Sequence, residues 1–294
     1  MSLTSLLDDR HGPVREWFEA RFPDLRPMQR RWKDAGAVTV HSDVATGALG
    51  QVGAAFDYRL RFWFQRPRIK ALLAAASAMA AYPPPGTGGH VRFDSLAIDL
   101  DDFLDANDPR GRFLEAGDER KLAWFCYVLA LYEVPYRTTA IRTAANNFGA
   151  HPSDGELDVL APGPALDDLC ALIGAFGDRY GDTLRPTRLV AVPPFALSWR
   201  LGGADADLIL DGCLLAIKVT KAPTMRREVA YQLIGHVLAD TTDAHGIDSA
   251  GFYLARVPAL LVWPVEELLV EAAGRAVDVA ELREEFAATV SATR

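Results

Sequence analysis

The dipeptide Asp211-Gly212 stands between two apolar runs, Leu208-Ile209-Leu210 and Cys213-Leu214-Leu215-Ala216-Ile217, and this arrangement constrains the fold more than any other stretch of the chain. A two-residue type I′ turn needs positive φ at both central positions, which Asp and Gly tolerate, so the sequence predicts a tight antiparallel hairpin. Counting outward pairs Leu210 with Cys213, Ile209 with Leu214, Leu208 with Leu215, Asp207 with Ala216 and Asp205 with Lys218. Directly opposed and alternate residues share a face of the ribbon. Asp205, Asp207, Ala216 and Lys218 are therefore expected in one small patch.

Around this hairpin the apolar pattern changes character. Val14–Phe22, Ala55–Phe64, Ile69–Ala81, Glu119–Tyr132 and Leu166–Tyr180 carry apolar residues at three- and four-residue spacing, the period of a helix. After Pro186, short alternating runs predict strands at Leu189–Val192, Phe195–Arg200, Ala204–Leu210, Cys213–Thr220, Ala250–Arg256 and Leu260–Trp263. Helices are expected over Met225–Asp240, Val265–Ala273 and Val279–Val290. The reading is α/β, with a mainly helical region over residues 1–185 and a mixed sheet flanked by helices over 186–294.

Two carboxylates beside an ammonium on rigid strands can hold Mg²⁺ or Mn²⁺ and set a water against a phosphate, while the lysine offsets charge on the phosphorus oxygens. A plain cross-strand ion pair, Asp205 to Lys218, is the alternative on geometry alone. The pattern of an acid, a hairpin, a lysine and a following helix with Gln resembles the PD-(D/E)xK nuclease superfamily, especially its RecB-like branch. Asp207 matches the first acid, Lys218 the lysine, and Gln232-Leu233-Ile234-Gly235-His236 the helical motif, with His in place of Tyr. Gly53-Ala54-Ala55-Phe56-Asp57 looks like the helix that opens such cores, which makes Asp57 a further candidate ligand. The resemblance implies a restriction-endonuclease-like fold and Mg²⁺- or Mn²⁺-dependent hydrolysis of DNA.

The chain departs from that family where the second acid should stand, at Ala216, because a methyl group cannot bind a cation. Asp205 shares the face and can substitute. So can Glu228 on the following helix, where Glu228, Gln232 and His236 recur every four residues as a polar stripe. Without a substitute, the fold implied is a catalytically inactive one that binds DNA or a protein partner.

The formal charge of −8 argues against coating nucleic acid by bulk electrostatics. Residues 1–70 nevertheless hold twelve Lys or Arg against eight Asp or Glu. Cations and aromatics interleave there, in Arg26, Arg30, Arg31, Trp32 and Lys33 and again from Arg59 to Lys70. Arg59, Arg61, Arg66 and, beyond the hairpin, Lys221 are the candidate DNA contacts, with an amphipathic helix turning its Arg outward as the alternative. A partner protein docking on Phe56–Phe64 is a further reading. Trp199 and Trp263 are expected in the core. Cys126, Cys170 and Cys213 form no CxxC pair, so neither a disulfide framework nor a zinc site is indicated. No apolar run reaches the length of a membrane span, and the expected location is cytoplasmic.

Overall fold

A computed structural model describes residues 2–72, 89–137, 161–201 and 206–293. The chain is α/β: ten α-helices and one five-stranded open mixed sheet lie among the described residues. It divides into two compact units, one of Met1–Thr39 with Pro186–Arg294 and the other of Val40–Arg185. The expected division between 1–185 and 186–294 is therefore corrected, since the first 39 residues fold with the sheet. Apolar residues of the N-terminal helices, Leu3, Val14, Phe18 and Met28, are buried in the same core as the sheet.

In the first unit, the helices α1 (Leu3–Asp8), α2 (Pro13–Arg21) and α3 (Arg26–Asp34) precede the sheet in the chain. The strands are β1 (Leu189–Ala191), β2 (Leu208–Leu210), β3 (Cys213–Lys218), β4 (Ser249–Leu254) and β5 (Ala259–Pro264). They lie in chain order, antiparallel except for β3 and β4, which run parallel. A parallel pair needs a crossover, and α8 (Arg227–Ala239) supplies it. The helices α9 (Val265–Ala273) and α10 (Val279–Ala292) close the unit.

The turn follows its sequence prediction. Asp211 has φ 48° and Gly212 φ 89°, and the ladder pairs Leu210 with Cys213, Ile209 with Leu214 and Leu208 with Leu215. The Asp211 carboxylate also accepts from the amides of Thr187 (3.0 Å) and Arg188 (2.7 Å), which ties the turn to the start of β1. These amides, together with the Thr187 hydroxyl, hold its pKa below the usual carboxylate value.

Phe195–Arg200 is not a strand. Pro193-Pro194 precede it, the Ser198 hydroxyl accepts from the Phe195 amide (2.8 Å), and Ser198 N–H bonds the Phe195 carbonyl (2.9 Å), so the segment curls into successive turns. Local side-chain bonding of this kind competes with a sheet ladder.

In the second unit, α4 (Leu49–Phe64), α6 (Ala116–Arg137) and α7 (Gly163–Tyr180) pack against one another, with α5 (Gly89–Ala106) against the short turn Ile69–Ala71. The expected helix Ile69–Ala81 shows only that turn, its remainder lying outside the described residues. Trp63 meets Phe176 edge to face at 5.4 Å, and a Cβ at Gly177 would lie 2.9 Å from the Trp63 ring. Phe56, Tyr58, Leu60, Phe62 and Trp63 are buried in this unit. Phe56–Phe64 is thus core, and the docking surface expected there is corrected.

Candidate functional site

The hairpin ladder stops at Leu208 and Leu215, and the next residue outward, Asp207, takes over the bonding with its side chain. Its Oδ2 accepts from the Ile217 amide at 2.7 Å. In a continued ladder that amide would face the backbone of Ala206. The carboxylate is thereby fixed at the end of β2, beside β3, and Oδ1 makes no hydrogen bond among the described residues.

Leu214, Ala216 and Lys218 alternate onto one face of β3. Lys218 Nζ donates to Gln232 Oε1 at 3.0 Å, and Gln232 Nε2 reaches Thr4 Oγ1 of α1 at 3.4 Å. Burial pulls the Lys218 ammonium below its ordinary pKa, with the Asp207 carboxylate opposing that shift. Asp207, Lys218 and Gln232 are therefore brought together as the hairpin register and the helical motif predict. Ala216 lies on the same face and is only 4% exposed. The position of the expected acid is packed into the core.

The polar stripe of α8 faces the protein. Its C-terminal half is buried on every side, and a Cβ at Gly235 would lie 2.8 Å from Leu3 and 3.2 Å from Phe18. Glycine there lets α1 and α2 approach the helix closely. His236 is buried, 6.1 Å from the Phe195 ring, and its Nδ1 has no hydrogen-bond partner. Burial, reinforced by the charge of Lys218, lowers its pKa to about 3, so this imidazole is neutral.

Glu228 does not stand open to a cation. Its Oε1 accepts from Arg15 Nη1 at 2.7 Å, and Arg15 is itself buried and bonded to Glu19 (2.6 Å) and the Leu7 carbonyl (3.1 Å). Burial raises the Glu228 pKa, but the bond from Arg15 and the charges of Arg15 and Arg226 outweigh it and leave the carboxyl below its usual range. Arg15 and Thr4 carry no motif in the sequence. Gly235 inside an otherwise apolar helix is the signal that some element crosses there.

The remaining candidates lie elsewhere. Asp205 is outside the described residues. Asp57 belongs to the second unit, where it is buried and pairs with Arg61 one helical turn away. Arg59 is 1% exposed and holds Glu119 through two bonds of 2.6 and 3.0 Å. Arg61 is 2% exposed. Neither guanidinium is presented to a phosphate backbone, and the surface role expected for them is corrected. Arg66 is partly exposed and engaged by Asp101 (3.3 Å) and Asp105 (2.5 Å). Lys221 is exposed on the segment between β3 and α8.

No group of three or more His, Cys, Asp or Glu suited to a metal occurs among the described residues. One carboxylate, Asp207, fits only a hard cation that draws its other ligands from water and substrate, as Mg²⁺ does. It does not fit the ligand-rich cages of Zn²⁺ or Ca²⁺. Among the described residues no helix is long and apolar enough to cross a membrane. No family model, curated protein or solved structure matches the chain.

Proposed function

We propose that the α/β unit is a nuclease core of the PD-(D/E)xK kind, with a restriction-endonuclease-like sheet, that acts on DNA phosphodiesters with Mg²⁺ or Mn²⁺. The observation that carries this reading is the 3.0 Å bond from Lys218 to Gln232 on the strand face where Asp207 ends the hairpin. A salt bridge serving stability alone would not need an amine tethered to a neutral amide and a carboxylate fixed beside it. In this reading Asp207 holds the cation, Lys218 lies against the scissile phosphate and Gln232 keeps its amine in place. The bound cation supplies Lewis-acid stabilisation of the phosphate oxygens.

A second reading has the same core bind DNA or a protein partner without cutting. It is favoured by Ala216, buried where the second acid belongs, and by Glu228, already engaged by Arg15. Losing about 4 kcal/mol of transition-state stabilisation slows a reaction roughly a thousandfold, which separates a nuclease from a binder in practice.

The test is DNA cleavage by the full chain with Mn²⁺ or Mg²⁺, alongside Asp207→Ala, Lys218→Ala, Asp205→Ala and Ala216→Asp. Cleavage by the wild type that Asp207→Ala and Lys218→Ala abolish supports the enzyme. A silent wild type with an active Ala216→Asp variant selects the binder. Silence from every variant, with no Mn²⁺ bound, removes the nuclease reading.

A further inference from the structure

Val192, at the end of β1, has φ 49°. It is β-branched, which disfavours the left-handed region, and it precedes Pro193, which pushes a residue toward extended backbone. Gly or Asn enters that region at far lower cost. A conformation so at odds with its residue persists only where the surroundings dictate it, and such residues gather at functional sites. Here the surroundings act from both sides. Before the bend, Ala191 pairs with Leu208 in the sheet. After it, Pro193 and Phe195 are buried, and His245 Nε2 donates to the Pro194 carbonyl at 3.0 Å. The Phe195 ring lies 6.1 Å from His236 and 5.6 Å from His245. The chain turns sharply between these anchors, and its onward course leaves Trp199, expected in the core, 64% exposed.

The bend falls opposite the candidate site. The Val192 amide donates to the Asp207 carbonyl at 3.1 Å, one residue beyond the last paired residues of β1 and β2. On the other side of Asp207 the ladder to β3 has stopped, and Oδ2 accepts from the Ile217 amide at 2.7 Å. Asp207 is thus held by its backbone from Val192 and by its side chain from Ile217. We propose that Val192 is a positioning residue for Asp207: its bent backbone locks the amide onto the Asp207 carbonyl, keeps the carboxylate in line with the Ile217 amide and leaves Oδ1 to a cation. A β-branched residue ahead of a proline ring has few neighbouring conformations to reach, so the amide stays where the bend puts it. Glycine would accept the same bend at lower cost and leave the amide free to wander. The cation in this proposal rests on the nuclease-core reading, and the positioning rests on the two hydrogen bonds.

The test compares wild type, Val192→Ala, Val192→Gly and Asp207→Ala as full chains. Three quantities are measured: the thermal midpoint, the exchange rate of the Ile217 amide in deuterated water, and Mn²⁺ affinity by electron paramagnetic resonance. Alanine and glycine both remove the valine methyls, but only glycine frees the backbone. Val192→Gly should therefore melt no lower than Val192→Ala, yet exchange the Ile217 amide about fivefold to tenfold faster and bind Mn²⁺ about threefold to tenfold more weakly. A residue that serves packing alone moves all three together, so exchange and affinity that follow the melting order overturn the proposal. Equal exchange in the two variants also overturns it, as does equal affinity where the wild type binds Mn²⁺ through Asp207. If exchange differs as expected while the wild type binds no Mn²⁺, or Asp207→Ala binds it undiminished, the positioning role stands and the nuclease-core reading falls.

Discussion

Arg15 Nη1 and Glu228 Oε1 lie 2.7 Å apart, joining α2 to the first turn of α8. That contact turns a candidate catalytic acid into a clasp between the N-terminal helices and the sheet. Arg15→Ala leaves the partly buried Glu228 carboxylate with only the exposed Arg226 at 4.0 Å and removes the bond to the Leu7 carbonyl. The loss should be about 2–3 kcal/mol in urea unfolding at neutral pH. A change under about 0.5 kcal/mol would show that the clasp is ornamental.

His236 makes stability depend on pH in a defined direction. Its pKa is about 3 in the fold against 6.5 for an ordinary histidine, so the unfolded chain takes up a proton that the folded chain refuses. The stabilisation is whole above about pH 6.5 and drains away as pH falls from there toward 3, by up to about 1.4 kcal/mol per pH unit for this group. Carboxylates titrate in the lower part of that range, so the diagnostic is a difference. His236→Phe should lose less stability than wild type between pH 7 and pH 5.5. Parallel pH curves would mean that the imidazole is protonated in the fold.

Gly251 permits the pairing of β4 with β5. A Cβ there would lie 2.1 Å from the Leu261 carbonyl oxygen and 2.9 Å from the Val262 Cα, both backbone atoms that cannot swing aside. Gly251→Ala should cost more than about 3 kcal/mol, enough to lower the thermal midpoint by many degrees or prevent folding. Gly50, in the first turn of α4 with nothing within 4 Å, is the control: Gly50→Ala should be neutral or stabilising by about 0.5–1 kcal/mol. Equal effects of the two substitutions would contradict the close approach.

Arg59 belongs to the stability of the helical unit. Arg59→Ala strands Glu119, which is fully buried and also accepts from the Leu114 amide at 3.0 Å, so about 3–5 kcal/mol should be lost. Whatever folded protein remains should bind DNA with an unaltered salt dependence. A slope reduced by about one would instead make Arg59 a phosphate contact.

Where a single local rule decided the structure, it was legible in the sequence. Asp211-Gly212 allows one tight turn, and the turn fixes which residues oppose each other, so the placing of Asp207 and Lys218 followed. The five strands and the helices after Pro186 followed from their apolar periods, apart from Phe195–Arg200, where two prolines and Ser198 outweighed the alternation. The membership of the N-terminal helices was not legible, since the apolar stripe of Val14 and Phe18 fits any core and its partner lies some two hundred residues away. Arg59 and Arg61 misled for a related reason. Cations amid aromatics look alike on a surface and in a core, and only the distant Glu119 distinguishes the case of Arg59. Asp57, one turn before Arg61, was the visible hint.

The α/β unit is assembled from two stretches of chain with the whole of Val40–Arg185 between them. During synthesis α1 and α2 emerge long before α8, the helix against which Leu3 and Phe18 pack. Their apolar faces must wait for it, while the helical unit has all its own segments in hand and can fold first. A ribosome pause or a chaperone acting before α8 appears would therefore bear on the α/β unit and spare the helical one.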